Sequence, residues 1–331
     1  MANAHEVARA AGVSVSTVSR ALTAPAQVSA ATRARVLEAA ERLGYTPDPT
    51  ARGLRLGRTH TIGLLVPDLE NPYFASVTKG VQARARAAGY PVFVADSEED
   101  PTAEAGLIAQ FARRVDGVVL ASPRAEDDVL RRAVDRLPAV LVSRDVPDLP
   151  SVAVDDADGV AQVLGHLHAL GHRRVGVAAG PTTSWSGARR WDGMRAAAER
   201  LDDVTLVELG SFRPYFSGGL AAADHAVAQG VTAVLAFNDL MALGIIDRLR
   251  GRGVRVPHDM SVVGFDDVDV ATLVAPALTT VRVPRTGLGR RAVDLLLAWL
   301  DVGHAEPSLA SDRHRLPAEL VIRDSTGVPP G

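Results

Sequence analysis

The sequence predicts two folds in one chain: an all-α helix-turn-helix headpiece, then an α/β core of two lobes built on parallel, doubly wound sheets. Three observations point there. Up to Leu43 the apolar residues recur at helical spacing. From Thr61 onward, short apolar β-rich runs alternate with helical stretches, the pattern of parallel sheets covered on both faces. Nearly all of those runs stop at polar residues, where open α/β sheets place their ligands.

Asn3 stands to cap a first helix, Ala4 to Ala11, which turns Val7 and Ala8 inward. Gly12 follows where the chain must turn sharply and a positive φ is favoured. Ser14 then caps a second helix from Val15 to Leu22. The small Ala8, the turning Gly12 and the inward Val18 let these two helices cross closely, which is helix-turn-helix logic. A third helix from Ser29 to Leu43 is expected to bury Val36, Leu37, Ala40 and Leu43.

In this motif the second helix enters the DNA major groove, N-terminal residues first. Val15, Ser16, Thr17, Ser19 and Arg20 would line its outer side. Arg20 suits the O6 and N7 acceptors of guanine, and Val15 suits a thymine methyl. The short Ser16, Thr17 and Ser19 suit phosphates or a single base edge, and Ser29 at the third helix joins the DNA-facing set. Charge agrees: eight arginines against four acids give residues 1–60 a net +4, leaving −7 of the total −3 on the rest. A basic arm on an acidic body fits a polyanionic partner. Pro47 and Pro49 end the third helix, and "TARGLRLGRT" beyond them is basic but too short for a stable helix alone.

Ten strands are expected in the core, over residues 61–68, 91–96, 115–122, 139–145, 151–156, 174–180, 205–210, 232–239, 261–267 and 278–283. Two lobes of five or six strands fit this number, with the break near Asp155–Asp156. Polar ends include Asp68, Asp96, Ser122, Ser143, Asn238 and Asp266. Lobes that turn these ends towards each other form a cleft that closes on a small polar molecule by hinge motion. Asp68 and Asp267 are expected instead as helix N-caps.

Composition excludes much else. The 331 residues, 47% hydrophobic and 23% charged, match ordinary globular protein of two or three domains. Zero cysteines remove disulfides, zinc ribbons and thiol catalysis. No apolar run approaches the ~18 residues of a membrane span, and the N-terminus lacks a secretory pattern, so a cytoplasmic, nucleoid-associated protein is expected. No GxSxG elbow, Walker loop or GxGxxG turn is present, so no enzyme, cofactor or metal is expected. His166 and His168 lie about 200° apart around a helix, and His172 follows the capping Gly171, so all three are expected to be structural. Asp155–Asp156 and Asp266–Asp267 are neighbours that point apart, unlike a glycosidase pair.

"EVARAAGVSVSTVSRAL" followed by "VSAATRARVLEAAERLGYTP" resembles the DNA-binding headpiece of the lac repressor/gal repressor (LacI/GalR) family of bacterial transcription regulators. "PDPTARGLRLGRTHTIGLLVPD" resembles that family's hinge. "IGLLVPDLENPYFASVTKGV", "LGHRRVGVAAGP", "TAVLAFNDLMALGIIDRLRGRGVRVPHDMSVVGFDD" and "PALTTVRVP" match its periplasmic-binding-protein-like core, so the likeness extends to about Asp324.

The resemblance implies a headpiece over residues 1–46, a hinge over 47–59 and an effector-binding, dimerising core over 60–331. Within the core it implies a first lobe of about 60–156 and 285–311 and a second of about 157–284 and 312–331. Leu54 would wedge open a base step in the minor groove, with Arg52 and Arg55 on phosphates beside it. Gly53 weakens the hinge helix, which makes it more dependent on its partner. Asn71, Tyr73, Phe74, Ser143, Arg190, Phe212, Asn238 and Asp266 would form the effector site, with Trp185 a further stacking surface. Ser143 stands where many members carry aspartate, Val283 replaces a common polar residue, and Arg285 sits where a smaller group is usual. That exchange suits an anionic effector such as a sugar phosphate.

The function implied is a repressor that binds a palindromic operator as a homodimer and is gated by a small polar effector, a sugar or sugar derivative. The chain stops at Gly331 without the leucine-heptad tail that makes a tetramer of the lac repressor, hence the dimer. The alternative is a sugar-binding or sugar-processing protein whose N-terminal helices dock a protein partner.

Overall fold

A computed structural model describes residues 2–23, 27–45, 59–201, 203–302 and 312–330. The chain divides into two compact units, Met1–Thr59 and His60–Gly331.

Among its described residues the first unit has three helices: α1 (Ala4–Ala11), α2 (Val15–Thr23) and α3 (Ala30–Arg42). Asn3 Oδ1 accepts from the backbone N–H groups of His5 and Glu6, and Glu6 Oε2 accepts from Asn3 N–H at 2.9 Å. This reciprocal capping box satisfies donors that a helix start leaves orphaned. Gly12 closes α1 at φ 63, a left-handed conformation that favours glycine. Val7, Ala8, Ala11, Val18, Ala21, Val36, Ala39 and Ala40 form the core. Two expected members are missing from it, because Leu37 is 43% and Leu43 38% exposed. The inward stripe of α3 is Val36, Ala39 and Ala40, and Leu37, one residue on, is turned about 100° away from Val36.

All ten expected strands are present, as β1 (Ile62–Val66), β2 (Val92–Asp96), β3 (Gly117–Ala121), β4 (Ala139–Val142), β5 (Ser151–Val154), β6 (Arg174–Ala179), β7 (Thr205–Ser211), β8 (Ala233–Ala236), β9 (Ser261–Asp266) and β10 (Thr279–Arg282). Two more, β11 (Arg313–Leu316) and β12 (Glu319–Val321), were not expected. The first sheet has the order β11-β5-β4-β3-β1-β2 and the second β12-β10-β9-β8-β6-β7. All pairings are parallel except β10 with β12.

β11 corrects the lobe boundary expected at 312. It pairs with β5, so the chain completes the first sheet and crosses to the second only between Leu316 and Glu319. The physical reason is edge position: "RHRL" has one face in solvent and needs no continuous apolar run.

Helices α4 (Pro72–Ala87), α5 (Pro101–Phe111) and α6 (Asp127–Ala133) belong to the first lobe, together with α11 (Arg285–Val302), which packs on α4. Their crossing needs glycine on both sides. A Cβ on Gly80 would lie 2.2 Å from Thr286 O, and one on Gly289 would lie 2.3 Å from Val77 O. The second lobe carries α7 (Asp156–Ala169), α8 (Trp185–Ala198), α9 (Phe216–Gln229) and α10 (Asp239–Gly251). Among the described residues no helix is long and apolar enough to cross a membrane.

Candidate functional site

On the headpiece, Ser14 Oγ accepts from Thr17 N–H at 3.2 Å and caps α2. It also shares hydrogen bonds of 2.8 Å with the Ser16 and Thr17 hydroxyls. Arg20 is exposed and folds back over one turn, with Nε donating to Ser16 O at 3.3 Å. Ser16 is also exposed, whereas Thr17 and Ser19 are half-buried. Val15, expected on the outer side, packs partly against the headpiece core. Ser29 caps α3 by accepting from Thr32 N–H at 3.2 Å. Arg52, Leu54 and Arg55 lie outside the described residues.

In the core, the carboxyl ends of both sheets open onto one cavity, a cleft enclosing about 390 Å³ of space that is continuous with solvent. The first lobe contributes Asn71, Tyr73 and Phe74 after β1, Glu99 after β2, Ser122 and Arg124 after β3, and Ser143 after β4. The second contributes Ser184, Ser186, Arg190, Pro214, Phe237, Asn238 and Asp266. Glu99, Ser122, Ser143 and Asp266 all hold positive φ, at 59°, 48°, 55° and 119°. Such strain in non-glycine residues clusters where side chains must be aimed.

Several lining groups are committed to structure. Asn71 caps α4 through Tyr73 N–H, and Asn238 caps α10 through Met241 N–H while donating from Nδ2 to Pro214 O. Capping thus falls on these residues and on Asp155, rather than on Asp68 and Asp267 as expected. Asp267 is instead ion-paired with Arg282 and Arg323, and Asp68 accepts from Glu70 N–H. The Tyr73 hydroxyl meets Ser143 Oγ at 2.8 Å, and Ser186 Oγ donates across the lobes to Ser143 O at 3.2 Å.

Arg190 divides the cavity floor. Its Nε donates to Asp156 Oδ1 at 2.8 Å, one terminal nitrogen donates to Phe237 O at 2.7 Å, and its guanidinium lies 3.4 Å from the Phe265 ring centroid. Asp266 faces it with no side-chain hydrogen bond among the described residues. Burial pushes its carboxyl up, against the pull of Arg190. Asp239, fully buried behind it, is likewise pushed up by burial, and accepts from Thr280 Oγ and Val268 N–H. Only a side-chain-free residue fits beside it, since a Cβ on Gly264 would lie 2.2 Å from Asp239 Oδ1.

Three expected effector residues do not line the cavity. Phe212 packs against the second-lobe core and meets His225 edge-on at 5.4 Å. Trp185 stands between Arg189 and Arg315, at 6.0 and 5.7 Å. Arg285 faces Asp269 at 3.8 Å. Conversely, sequence reasoning passed over Glu99, Arg124, Ser184, Ser186, Pro214 and Phe237 as site residues. The rule that ligands gather at strand ends marks Phe237 and Ser122, but the others sit in loops and a helix start that carry no spacing signal.

The histidines disperse: His166 meets Thr326, His168 meets Asp203, and His172 bridges Thr232, Ser261 and Gly327 O. Among the described residues no three His, Cys, Asp or Glu side chains gather as metal ligands.

Comparison with known proteins agrees with this arrangement. Residues 4–48 match the bacterial regulatory proteins of the lacI family, and residues 164–326 match the periplasmic binding protein-like domain. The HTH-type transcriptional repressor CytR of Escherichia coli (strain K12) is 33% identical over 97% of this chain and 95% of its own. A lac repressor dimer bound to operator and the anti-inducer ONPF superposes with a TM-score of 0.87 at 28% identity, covering 98% of this chain and 99% of that one. The transcriptional regulator CelR in complex with cellobiose gives a TM-score of 0.73 at 31% identity, over 98% and 100%. With a capped helix-turn-helix in its first sixty residues and a two-lobed α/β core in the rest of the sequence, the chain belongs to the lacI family and is a DNA-binding transcriptional regulator.

Proposed function

We propose that this regulator is a repressor that binds a two-fold operator as a homodimer and releases or grips it according to an uncharged, hydroxyl-rich effector, a sugar or sugar derivative, in the interlobe cleft. The observation that carries this reading is Asp266, a buried carboxyl at the meeting of two sheet ends with no hydrogen-bond partner among the described residues. Such a carboxyl, lining the cavity, can pair with a ligand's hydroxyl groups. The lac repressor dimer on its operator and CelR with cellobiose support the partners by likeness.

Charge balance favours an uncharged effector over the anionic one that Arg285 suggested. Arg285 stays outside the cavity lining, and the two arginines that do line it are paired, Arg124 with Glu99 and Arg190 with Asp156. Among the described residues that line the cavity, no spare cation awaits a phosphate. The DNA-facing set is Ser16, Thr17, Ser19, Arg20 and Ser29, without Val15, which packs against the headpiece core, and the hinge over 47–59 supplies Arg52, Leu54 and Arg55. The cleft needs no catalytic group for this role, and the protein acts at the nucleoid in the cytoplasm.

A gel shift on the promoter region beside its own gene tests the reading. Binding that weakens with salt, as counterion release requires, supports it. Folded protein that binds no such DNA would return attention to a sugar-binding protein with docking helices.

A further inference from the structure

We propose that Arg124, locked by Glu99, is the first-lobe residue that selects the effector, offering fixed N–H donors to an uncharged oxygen acceptor. The inference rests on the cleft being the effector site and adds to it a selecting residue and the reason charged ligands are refused.

Arg124 is 4% exposed and lines the cavity beside Glu99 and Ser122. Its Nε donates to Glu99 Oε2 at 2.7 Å, one terminal nitrogen to Glu99 Oε1 at 2.9 Å, and the other to Ser122 Oγ at 2.9 Å. A guanidinium carries five N–H donors in a rigid fork. Among the described residues three are engaged, so two remain on a side chain that lines the cavity.

The loop that carries this fork is held from below. Both oxygens of the buried Glu104 accept backbone N–H groups, from Arg124 at 2.7 Å and Ala125 at 2.9 Å. Arg144 donates to Pro123 O at 3.2 Å, to Ala125 O at 3.1 Å and to Asp127 at 2.7 Å. Glu99 is fixed in turn, with its N–H donating to Pro67 O at 2.8 Å. Donors immobilised in advance lose little entropy when a ligand arrives.

A buried ion pair is weak evidence for stability, because desolvation offsets most of the Coulomb gain. Its position on a cavity wall gives it a better explanation. Glu99 cancels the guanidinium charge without consuming all its donors, so the fork accepts a hydroxyl, ring or carbonyl oxygen and gives a phosphate no net attraction. Across the cleft Asp266 offers the opposite polarity. The pair therefore selects a molecule that turns acceptors to the first lobe and donors to the second.

Calorimetric titration of the full chain with D-ribose, cellobiose and uridine, and with D-ribose 5-phosphate and D-glucose 6-phosphate, tests this. Wild-type protein is expected to prefer an uncharged probe. Arg124→Met should weaken the tightest uncharged probe at least tenfold, with Arg124→Lys intermediate. Glu99→Gln should raise the affinity for phosphates relative to uncharged probes at least tenfold, a change that a purely structural role does not produce and that carries the test should Arg124→Met fail to fold. Variants that keep the wild-type order and affinities within threefold overturn the inference. Wild-type protein that binds none of the uncharged probes contradicts the effector reading itself.

Discussion

Arg190 and Asp156 form the ion pair on which the second lobe hangs its cleft wall: Arg190 Nε donates to Asp156 Oδ1 at 2.8 Å, with Asp156 only 3% exposed. Burial pushes the Asp156 carboxyl up, and Arg190 is the chief force drawing it back down. Arg190→Met should therefore leave an uncompensated buried charge and cost about 3–5 kcal/mol. The double change to Met and Asn should recover much of that. Urea denaturation of the two variants checks it, and equal loss in both would contradict the pairing.

The glycines at the α4–α11 crossing give a steric prediction. Gly80→Ala puts a Cβ 2.2 Å from backbone that cannot yield, so overpacking should cost about 1–3 kcal/mol or more. Gly106, in the middle of α5, has nothing within 4 Å of its Cβ position. Gly106→Ala should stabilise by about 0.5–1 kcal/mol through helix propensity. Thermal melts of the two single variants should move in opposite directions.

His172 makes stability depend on pH. Burial pulls its pKa below the ordinary value of 6.5, while its ring bridges Thr232, Ser261 and Gly327 O. A folded-state pKa below the unfolded one means the unfolded chain binds the extra proton first. The contribution is fully present above about pH 6.5 and declines as pH falls below it. The difference in unfolding free energy between wild type and His172→Gln should shrink between pH 7.5 and 5.5, read by denaturant titration at each pH. A difference constant with pH, or growing on acidification, would count against the neutral buried ring.

Arg20 is exposed on α2 and, among the described residues, is held only by its own helix. Arg20→Ala should lower operator affinity by about 1–3 kcal/mol and relax preference at one base pair in each half-site. Anisotropy on single-base operator variants measures both. A uniform loss across all sequences would reassign Arg20 to phosphate contact.

How far the sequence could be read depended on what each element had to satisfy. β1 to β10 were legible because buried parallel strands need continuous apolar runs. β11 and β12 were not, since "RHRL" and "ELV" pair at sheet edges with solvent on one side. Leu37 misled because its own apolarity says nothing about which stripe of α3 turns inward. In the cleft, Ser143, Asn238 and Asp266 followed strand ends, whereas Asn71 and Tyr73 followed only from the resemblance to the LacI/GalR family. Arg124 and Glu99 escaped notice because their pairing joins loops 25 residues apart and depends on side-chain geometry alone. Trp185 looked like a stacking surface and stands between two arginines instead.

The central claim is that a ligand in the cleft governs the grip on DNA. Its most direct test is the dissociation constant for labelled operator DNA, measured by fluorescence anisotropy with and without a saturating ligand that thermal shift shows to bind wild type and not Asp266→Asn. The account predicts a change of about 5- to 150-fold, the ordinary range of allosteric coupling, and no change in Asp266→Asn. A cleft ligand that binds wild type and leaves its operator affinity unaltered would contradict it.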